Sequence, residues 1–256
     1  MEKPDTSWYR KIWTLGIEDL SWTEDTVRQV DFIIQMLNLG DKGKILDLAC
    51  GYGRHSVELA RRGYEVTGVD ITEEYIKAAK DWASKEQLQV TFIHDDIRNI
   101  HFTNEFDVVI NVADGAIGYL ENDDENLKIF DRISAALRPC GKHFMDICNA
   151  EFAVDRFPMR TWEICKKAVS LPEFDWDPEN KRMLYGGWGL KFGEIALPPE
   201  NTEAHSSIRL YTIDELDRIL SERGMTLEDT SADYSERTAS RADMQIQVYS
   251  TKNAIL

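Results

Sequence analysis

Between residues 44 and 148, strand-like apolar segments alternate with helix-like amphipathic ones, and this alternation limits the fold more than any other feature. KILDLA (44–49) precedes RHSVELARR (54–62), and YEVTGVD (64–70) precedes EEYIKAAKDWASK (73–85). QVTFIHDD (89–96) and FDVVINVA (106–113) read as the third and fourth strands. ENLKIFDRISAALR then sets Leu127, Phe130, Ile133 and Leu137 on one helical face. Pro139 and Gly141 are expected to end it before KHFMDIC, the fifth strand. Such βαβ repetition predicts a parallel sheet with right-handed crossovers and helices on both faces.

The flanks read differently. Trp8, Tyr9, Trp13 and Trp22 precede a helix that Thr23 is expected to cap, with Val27, Val30, Ile33, Ile34 and Leu37 at helical spacing. After about residue 150 three strand-like runs, TWEICKKAVSL, RMLYGGWGLKF and EAHSSIRLYT, follow without helices, broken at WDPEN and LPPEN. They predict an antiparallel β cap over 150–208, inserted into a core of 1–149 and 209–256, in which 1–39 supplies an N-terminal lid and the first helix. Thr212 and Glu215 form a capping box, Gly224 stops that helix, and two last strands are expected near 225–234 and 243–251.

Charge narrows the partners. A formal charge of −16 without a basic face disfavours nucleic acid. No stretch reaches the roughly 18 apolar residues of a membrane helix, and MEKPDTSWYRKIW lacks a signal-peptide core. Cys50, Cys140, Cys148 and Cys165 show no CxxC spacing and suggest reduced thiols in a cytoplasmic protein. Asp123–Asp124 reads as a helix start, and no metal site is proposed.

Ligands of open α/β sheets bind beyond the carboxyl ends of the strands. At the first such end lies Asp47-Leu48-Ala49-Cys50-Gly51-Tyr52-Gly53. The GxGxxG pattern fails at Ser56, and no GK[ST] follows. What remains is an acid, two glycines that admit close backbone approach, and a second acid, Asp70, suited to a ribose. Arg54 and His55 open the next helix either as a solvated face or as ligand contacts.

This set, with Asp95-Asp96 after the third strand and FDVVIN as the fourth, resembles the class I S-adenosylmethionine (SAM)-dependent methyltransferases, strongly over residues 40–150 and in outline through SIRLYTIDELDRILSERGMTLED. The resemblance implies a Rossmann-like seven-stranded, mostly parallel sheet and SAM as cofactor. Ala49 stands at the family's usual first glycine, where alanine is tolerable if its φ stays below zero. By the same resemblance Asp47 orders the loop, Gly51 and Gly53 lie against the amino-acid end, Asp70 binds the ribose, and Ile71 packs on the adenine. Asp96, with Asp95 as its alternative, accepts from the adenine amino group, and Ile97 covers the other ring face. Asn111 and ADGAIGYL sit under the sulfonium, and Tyr9, backed by Trp13, faces the methyl group.

In-line methyl transfer needs placement more than acid–base groups. The absence of a Ser/His/Asp set is therefore no objection. The expected acceptor is a small molecule methylated on nitrogen or oxygen, in contact with Tyr119, Trp188, Arg209 and Tyr211, with His205 as the base if one is used. Against these stand plainer readings: the cap aromatics as the cap's own core, His205 as a surface residue, Arg209 in a structural ion pair, and His94 and His143 as hydrogen-bonded core residues. An RNA or protein methyltransferase, or a non-catalytic SAM-binding regulator, remains compatible with the same motifs.

Overall fold

The apolar runs become strands because they are buried from both sides. Ile45, Leu46 and Leu48 are each at most 1% exposed, as expected of parallel strands covered by helices. The computed structural model describes residues 1, 3–19, 23–195, 199 and 202–254. Trp22 and most of LPPEN lie outside the described residues.

Two 3-10 turns, Trp8–Arg10 and Leu15–Asp19, precede α1 (Thr26–Met36). Then come β1 (Lys44–Leu48), α2 (Arg54–Arg61), β2 (Glu65–Asp70), α3 (Glu73–Lys85), β3 (Val90–His94), β4 (Phe106–Asn111), α4 (Asp123–Ala136) and β5 (Leu137–Cys148). The chain continues through α5 (Ala150–Arg156), β6 (Met159–Arg160), β7 (Glu163–Ile164), β8 (Ala168–Asp177), β9 (Arg182–Lys191) and β10 (Ala204–Arg209). It closes with α6 (Ile213–Ser221), β11 (Met225–Ser231) and β12 (Gln245–Lys252).

The main sheet has seven strands in the order β11-β12-β5-β4-β1-β2-β3. Its β1–β5 pairings are parallel, and β12 runs antiparallel to both neighbours. This is a Rossmann-like sheet whose order reverses between β1 and β4, where a crevice opens for a ligand. Two apolar layers hold it: Phe130, Ile133, Leu216 and Leu220 on one side, and Val30, Ile33, Leu59 and Phe144 on the other. Each such side chain contributes roughly 1.5–3 kcal/mol on burial. Strands β6 to β10 form a second, wholly antiparallel sheet.

Several boundaries differ from the sequence expectation. α1 begins at Thr26 after Asp25 rather than after Thr23, and Val27 is 55% exposed because it falls off the buried stripe. α4 ends at Ala136, and Leu137 and Pro139 already belong to β5, across an irregular pairing with β4. The unexpected α5 is capped by Asn149, whose side chain accepts the Glu151 N–H. TWEICKKAVSL divides into the short β7 and the start of β8, which pair with each other. His143 is buried on β5 with Nδ1 against Ser250 Oγ, whereas His94 is exposed at the rim, its Nε2 against the Ile71 carbonyl. The Thr212–Glu215 capping box and the Asp123 helix start are present as expected.

Candidate active site

The carboxyl ends of β1, β2, β4 and β5 open into one cavity of about 760 Å³, roofed by the second sheet and the N-terminal segment. Its cofactor-type wall begins at Asp47, 2% exposed, whose Oδ2 accepts from Ser56 Oγ at 2.6 Å. Burial raises this carboxyl to about 7. Ala49 lines the wall at φ +57°, so the condition under which alanine was tolerable is not met: the residue sits in the left-handed region, as its glycine neighbours do. Gly51 (φ +57°) donates its N–H to Asp70 Oδ2 at 2.9 Å, and Thr72 donates to Oδ1 at 2.8 Å. Each oxygen keeps a lone pair for a ligand hydroxyl. Gly53 (φ +85°) lies outside the lining; a Cβ there would meet Ala79 Cβ and Phe92 Cζ at 2.9 Å, so this glycine serves helix packing.

Ile71, Asp96 and Ile97 also line the cavity. Asp96 is held by Arg98 at 2.6 Å and approached by Arg10 at 3.7 Å, which keeps its carboxyl below the usual range. Asp95 is outside the lining and caps the turn, its Oδ1 accepting the Asp96 N–H. Asn111 is fully buried beneath the wall, donating from Nδ2 to the Gly115 carbonyl at 3.1 Å. It shapes the turn that follows β4 and does not itself line the cavity.

The N-terminal segment supplies Tyr9, Ile12, Trp13 and Ile17. Trp13 stacks on Tyr119 with centroids 6.1 Å apart, and Trp8 packs on the same ring at 4.8 Å. The Tyr75 hydroxyl, donating to the Thr14 carbonyl, ties the segment to α3. The second sheet contributes Phe174, Met183, Tyr185, Ser206 and Ile208.

Four expected acceptor-side residues lie outside the lining. In β10, Ser206 and Ile208 point inward, which turns His205 to solvent and Arg209 toward the core. Arg209 bonds Glu215 at 2.8 Å and covers the Tyr211 ring, itself edge-on to Phe130. Trp188 falls on the face of β9 opposite Met183 and Tyr185. His205 is exposed and lies outside the cavity lining.

Of the two readings of Arg54 and His55, the solvated face is not met: both are buried and line the cavity, Arg54 donating to Gln29 Oε1 at 2.6 Å and His55 Nε2 lying 2.9 Å from the same oxygen. Other lining residues escaped the sequence reading. Asp146 accepts from Tyr234 Oη and Gln247 Nε2, each at 2.9 Å. Its signal was available: an acid inside the apolar run of a strand, as at Asp47. Tyr52, Asp114 and Tyr234 also face the cavity.

Buried carboxylates around a cavity suit a cationic ligand, and an acid with spare acceptors at the end of β2 suits a ribose. Comparison with known proteins carries the same signature. The family described as "Methyltransferase domain" matches residues 45–141. A ubiquinone biosynthesis O-methyltransferase of Actinobacillus pleuropneumoniae serotype 5b (strain L20) is 30% identical over 166 residues, 58% of this chain and 69% of that protein. The chain belongs to the class I SAM-dependent methyltransferases. A protein named as a methyltransferase, YqeM of Bacillus subtilis (strain 168), is 27% identical over 200 residues, covering 78% of this enzyme and 80% of its own length. A SAM-dependent methyltransferase from Clostridium acetobutylicum ATCC 824 shares the fold at a TM-score of 0.75 and 19% identity, over 93% of this chain and 96% of the other.

The enzyme uses SAM, and its residues fit that cofactor. Asp70 is buried at the cavity wall with unfilled acceptor capacity, which suits ribose hydroxyls, and the acidic side chains Asp47, Asp114 and Asp146 on the same cavity suit a sulfonium. Among the described residues, no helix is long and apolar enough to cross a membrane.

Proposed function

We propose that the enzyme methylates a nitrogen or oxygen of a small-molecule acceptor held between the parallel strand ends and the antiparallel sheet. The observation that carries this is the single wall shared by the glycine loop and by Phe174, Met183, Tyr185 and Ile208 of the second sheet, around about 760 Å³. That size falls among small-molecule sites, about 300–1,000 Å³. The ubiquinone-pathway name of one relative and the net charge of −16 support it over an RNA acceptor.

In this reading Asp47, Ala49 and Gly51 cradle the amino-acid end of SAM, and Gly53 sets the angle of α2. Asp70 takes the ribose hydroxyls, Ile71 and Ile97 enclose the adenine, and Asp96 meets its amino group. Bound there, SAM supplies an electrophilic methyl carbon on a positively charged sulfur. Tyr9, Trp13 and Tyr119 exclude water around it and offer aromatic faces to the cation, worth about 0.5–2 kcal/mol. Asn111 acts through the turn it holds, and orientation of the acceptor contributes roughly 7–11 kcal/mol. Residues 150–208 act as the substrate-side cap. Three of the four cysteines, Cys50, Cys148 and Cys165, are buried, which fits reduced thiols in a cytoplasmic setting.

The test is S-adenosylhomocysteine release with a panel of amines, alcohols and phenols beside bulk RNA and unfolded protein. Turnover with panel compounds, reduced at least about tenfold in Tyr9→Ala while SAM affinity holds within about twofold, is expected. Turnover confined to RNA or protein would overturn the reading.

A further inference from the structure

The turn after β4 has a backbone that L-residues avoid. Ala113, Asp114, Gly115 and Ala116 lie consecutively at φ +55, +65, +50 and +62°. Left-handed backbone costs an L-residue about 1–2 kcal/mol, and three of these four carry a Cβ. Strain of this kind persists only where the surroundings over-determine it. Here Asn111 Nδ2 holds the Gly115 carbonyl at 3.1 Å, the Asp114 N–H donates to the Asp146 carbonyl at 2.8 Å, and Asp114 Oδ1 accepts from the Cys148 N–H at 3.1 Å.

What this arrangement delivers is a carboxylate in the cavity wall. Asp114 lines the cavity, has Cys148 as its hydrogen-bond donor, and forms no ion pair among the described residues. Asp146 shares that wall from β5, already engaged by Tyr234 and Gln247. The other lining carboxylates have their own partners: Asp47 accepts from Ser56, Asp70 from the Gly51 and Thr72 N–H groups, Glu163 from Cys165, and Asp96 and Asp233 pair with Arg98 and Arg237.

Two neighbouring carboxylates, Asp146 buried and Asp114 half-buried on the cavity wall, are costly unless a positive group joins them. A neutral hydroxyl acceptor brings no such group. An amine acceptor arrives as an ammonium ion and has the converse difficulty, since it must approach a sulfonium of like charge. A carboxylate at the meeting point relieves both.

We propose that Asp114, backed by Asp146, seats the ammonium group of an amine acceptor and takes its proton before methyl transfer. This deepens the small-molecule reading and rests on it for the location of the acceptor. The balance is simple. The ammonium gives one proton to the Asp114 carboxylate, leaving a neutral amine and a carboxylic acid. The freed lone pair forms the N–C bond as the C–S pair passes to sulfur. The product leaves as an N-methylammonium ion, and Asp114 returns its proton to water. Burial and the charge of Asp146 raise the Asp114 carboxyl to about 7, near the range in which a general base works at neutral pH.

The test needs neither acceptor nor turnover. Sinefungin carries an ammonium-bearing carbon in place of the methylsulfonium, whereas S-adenosylhomocysteine has neither the charge nor the methyl. The ratio of their dissociation constants, measured calorimetrically on the full chain, therefore reads the field at the transfer point. Wild type should prefer sinefungin by about tenfold or more at pH 8, and Asp114→Asn should cut that preference at least about fivefold. S-adenosylhomocysteine affinity should stay within about twofold. Asparagine tolerates positive φ and keeps an oxygen for the Cys148 N–H, so retained S-adenosylhomocysteine binding doubles as the check on folding.

Should the variant lose that binding, wild type alone decides: its preference should shrink as pH falls from 8 to about 5.5. Facing Asp114 in this window are Asp146 and Cys148 from β5 and Tyr119 beyond the turn, with Tyr234 and Arg54 behind Asp146. Burial pushes the Cys148 thiol and the Tyr119 hydroxyl far above that window. Asp47 titrates within it but acts on the shared amino-acid end, which the ratio cancels. A preference absent from wild type, unchanged in a folded Asp114→Asn, or flat with pH overturns the proposal. Methylation confined to alcohols or phenols in the acceptor panel also overturns it while leaving the small-molecule reading intact. Failure of wild type to bind either compound would strike the cofactor site instead.

Discussion

The turns after β1 and β4 flank the same crevice, and both carry their backbone into left-handed space. The first does so at Ala49, Gly51 and Gly53, two of the three without a Cβ, and turns backbone groups and the Asp70 carboxylate toward the ligand. The second does so at Ala113, Asp114, Gly115 and Ala116, mostly against its residues' preference, and turns a side chain inward. A glycine turn is specified locally and serves a ligand that needs close backbone approach. A strained turn is specified by its neighbours and serves a placed functional group. In the proposed reading, the contrast separates a site built for a fixed cofactor from one built for a particular acceptor.

That comparison breaks most readily at Gly118, where the β4 turn meets the second sheet. Gly118 lies at φ +79°, and a Cβ there would collide with the Arg209 carbonyl. Gly118→Ala should destabilise the protein by about 3 kcal/mol or more, read by urea denaturation. A loss below about 1 kcal/mol would show that the turn is not pinned by β10.

Next in size is Asp70→Ala, which should weaken SAM at least about tenfold by calorimetry, or about 1.4 kcal/mol. Unchanged affinity would move the ribose elsewhere.

The pH dependence of the apo protein compares the two turns directly. Asp47 and Asp114 are both raised to about 7, above the ordinary carboxylate range they have when unfolded. Between about pH 4 and 7 the folded state therefore binds protons that the unfolded state has lost, so stability is greatest at the acid end and falls as pH rises through 7. Buried His55 and His143, held below the ordinary imidazole range, oppose this below about pH 6.5, while Asp70 and Asp146, raised by burial, add to it. The readout is therefore thermal unfolding of the variant against wild type: Asp114→Asn should gain Tm relative to wild type as pH rises from about 5.5 to 8. A Tm difference between the two that stays constant over this range contradicts the assignment. Glu215, held down to about 2 by its Arg209 and Lys181 contacts, acts oppositely but only below the ordinary carboxylate range.

The smallest effect is expected at Ala49, whose φ of +57° is strained without an evident functional demand for its methyl. Ala49→Gly should stabilise by about 1 kcal/mol, with SAM affinity preserved. Destabilisation would mean that the methyl packs usefully.

Legibility followed the same division. Asp47, Gly51, Gly53 and Asp70 are close in sequence, and strand–loop–helix geometry forces them together, so their pattern was readable. His205 and Trp188 were expected at the acceptor but lie outside the cavity lining, because which side a strand residue faces depends on register, and a shift of one residue exchanges the two faces. Asp146 and Gln247 are 101 residues apart and meet only through the antiparallel pairing of β5 with β12. The left-handed run at 113–116 gave no signal in ADGAIGYL, because three of its four residues individually favour other conformations.

The sequence by itself determined the βαβ order, the glycine loop, the acid after the second strand and the membership of the methyltransferase family. Each of these rests on local periodicity or on spacing within one supersecondary unit. Tertiary structure alone decided which cap residues face the cavity, that Arg54 and His55 are buried, and that Asp114 meets Asp146 at the wall. Those outcomes depend on strand register and on hydrogen bonds between distant segments, whose energies no local window contains.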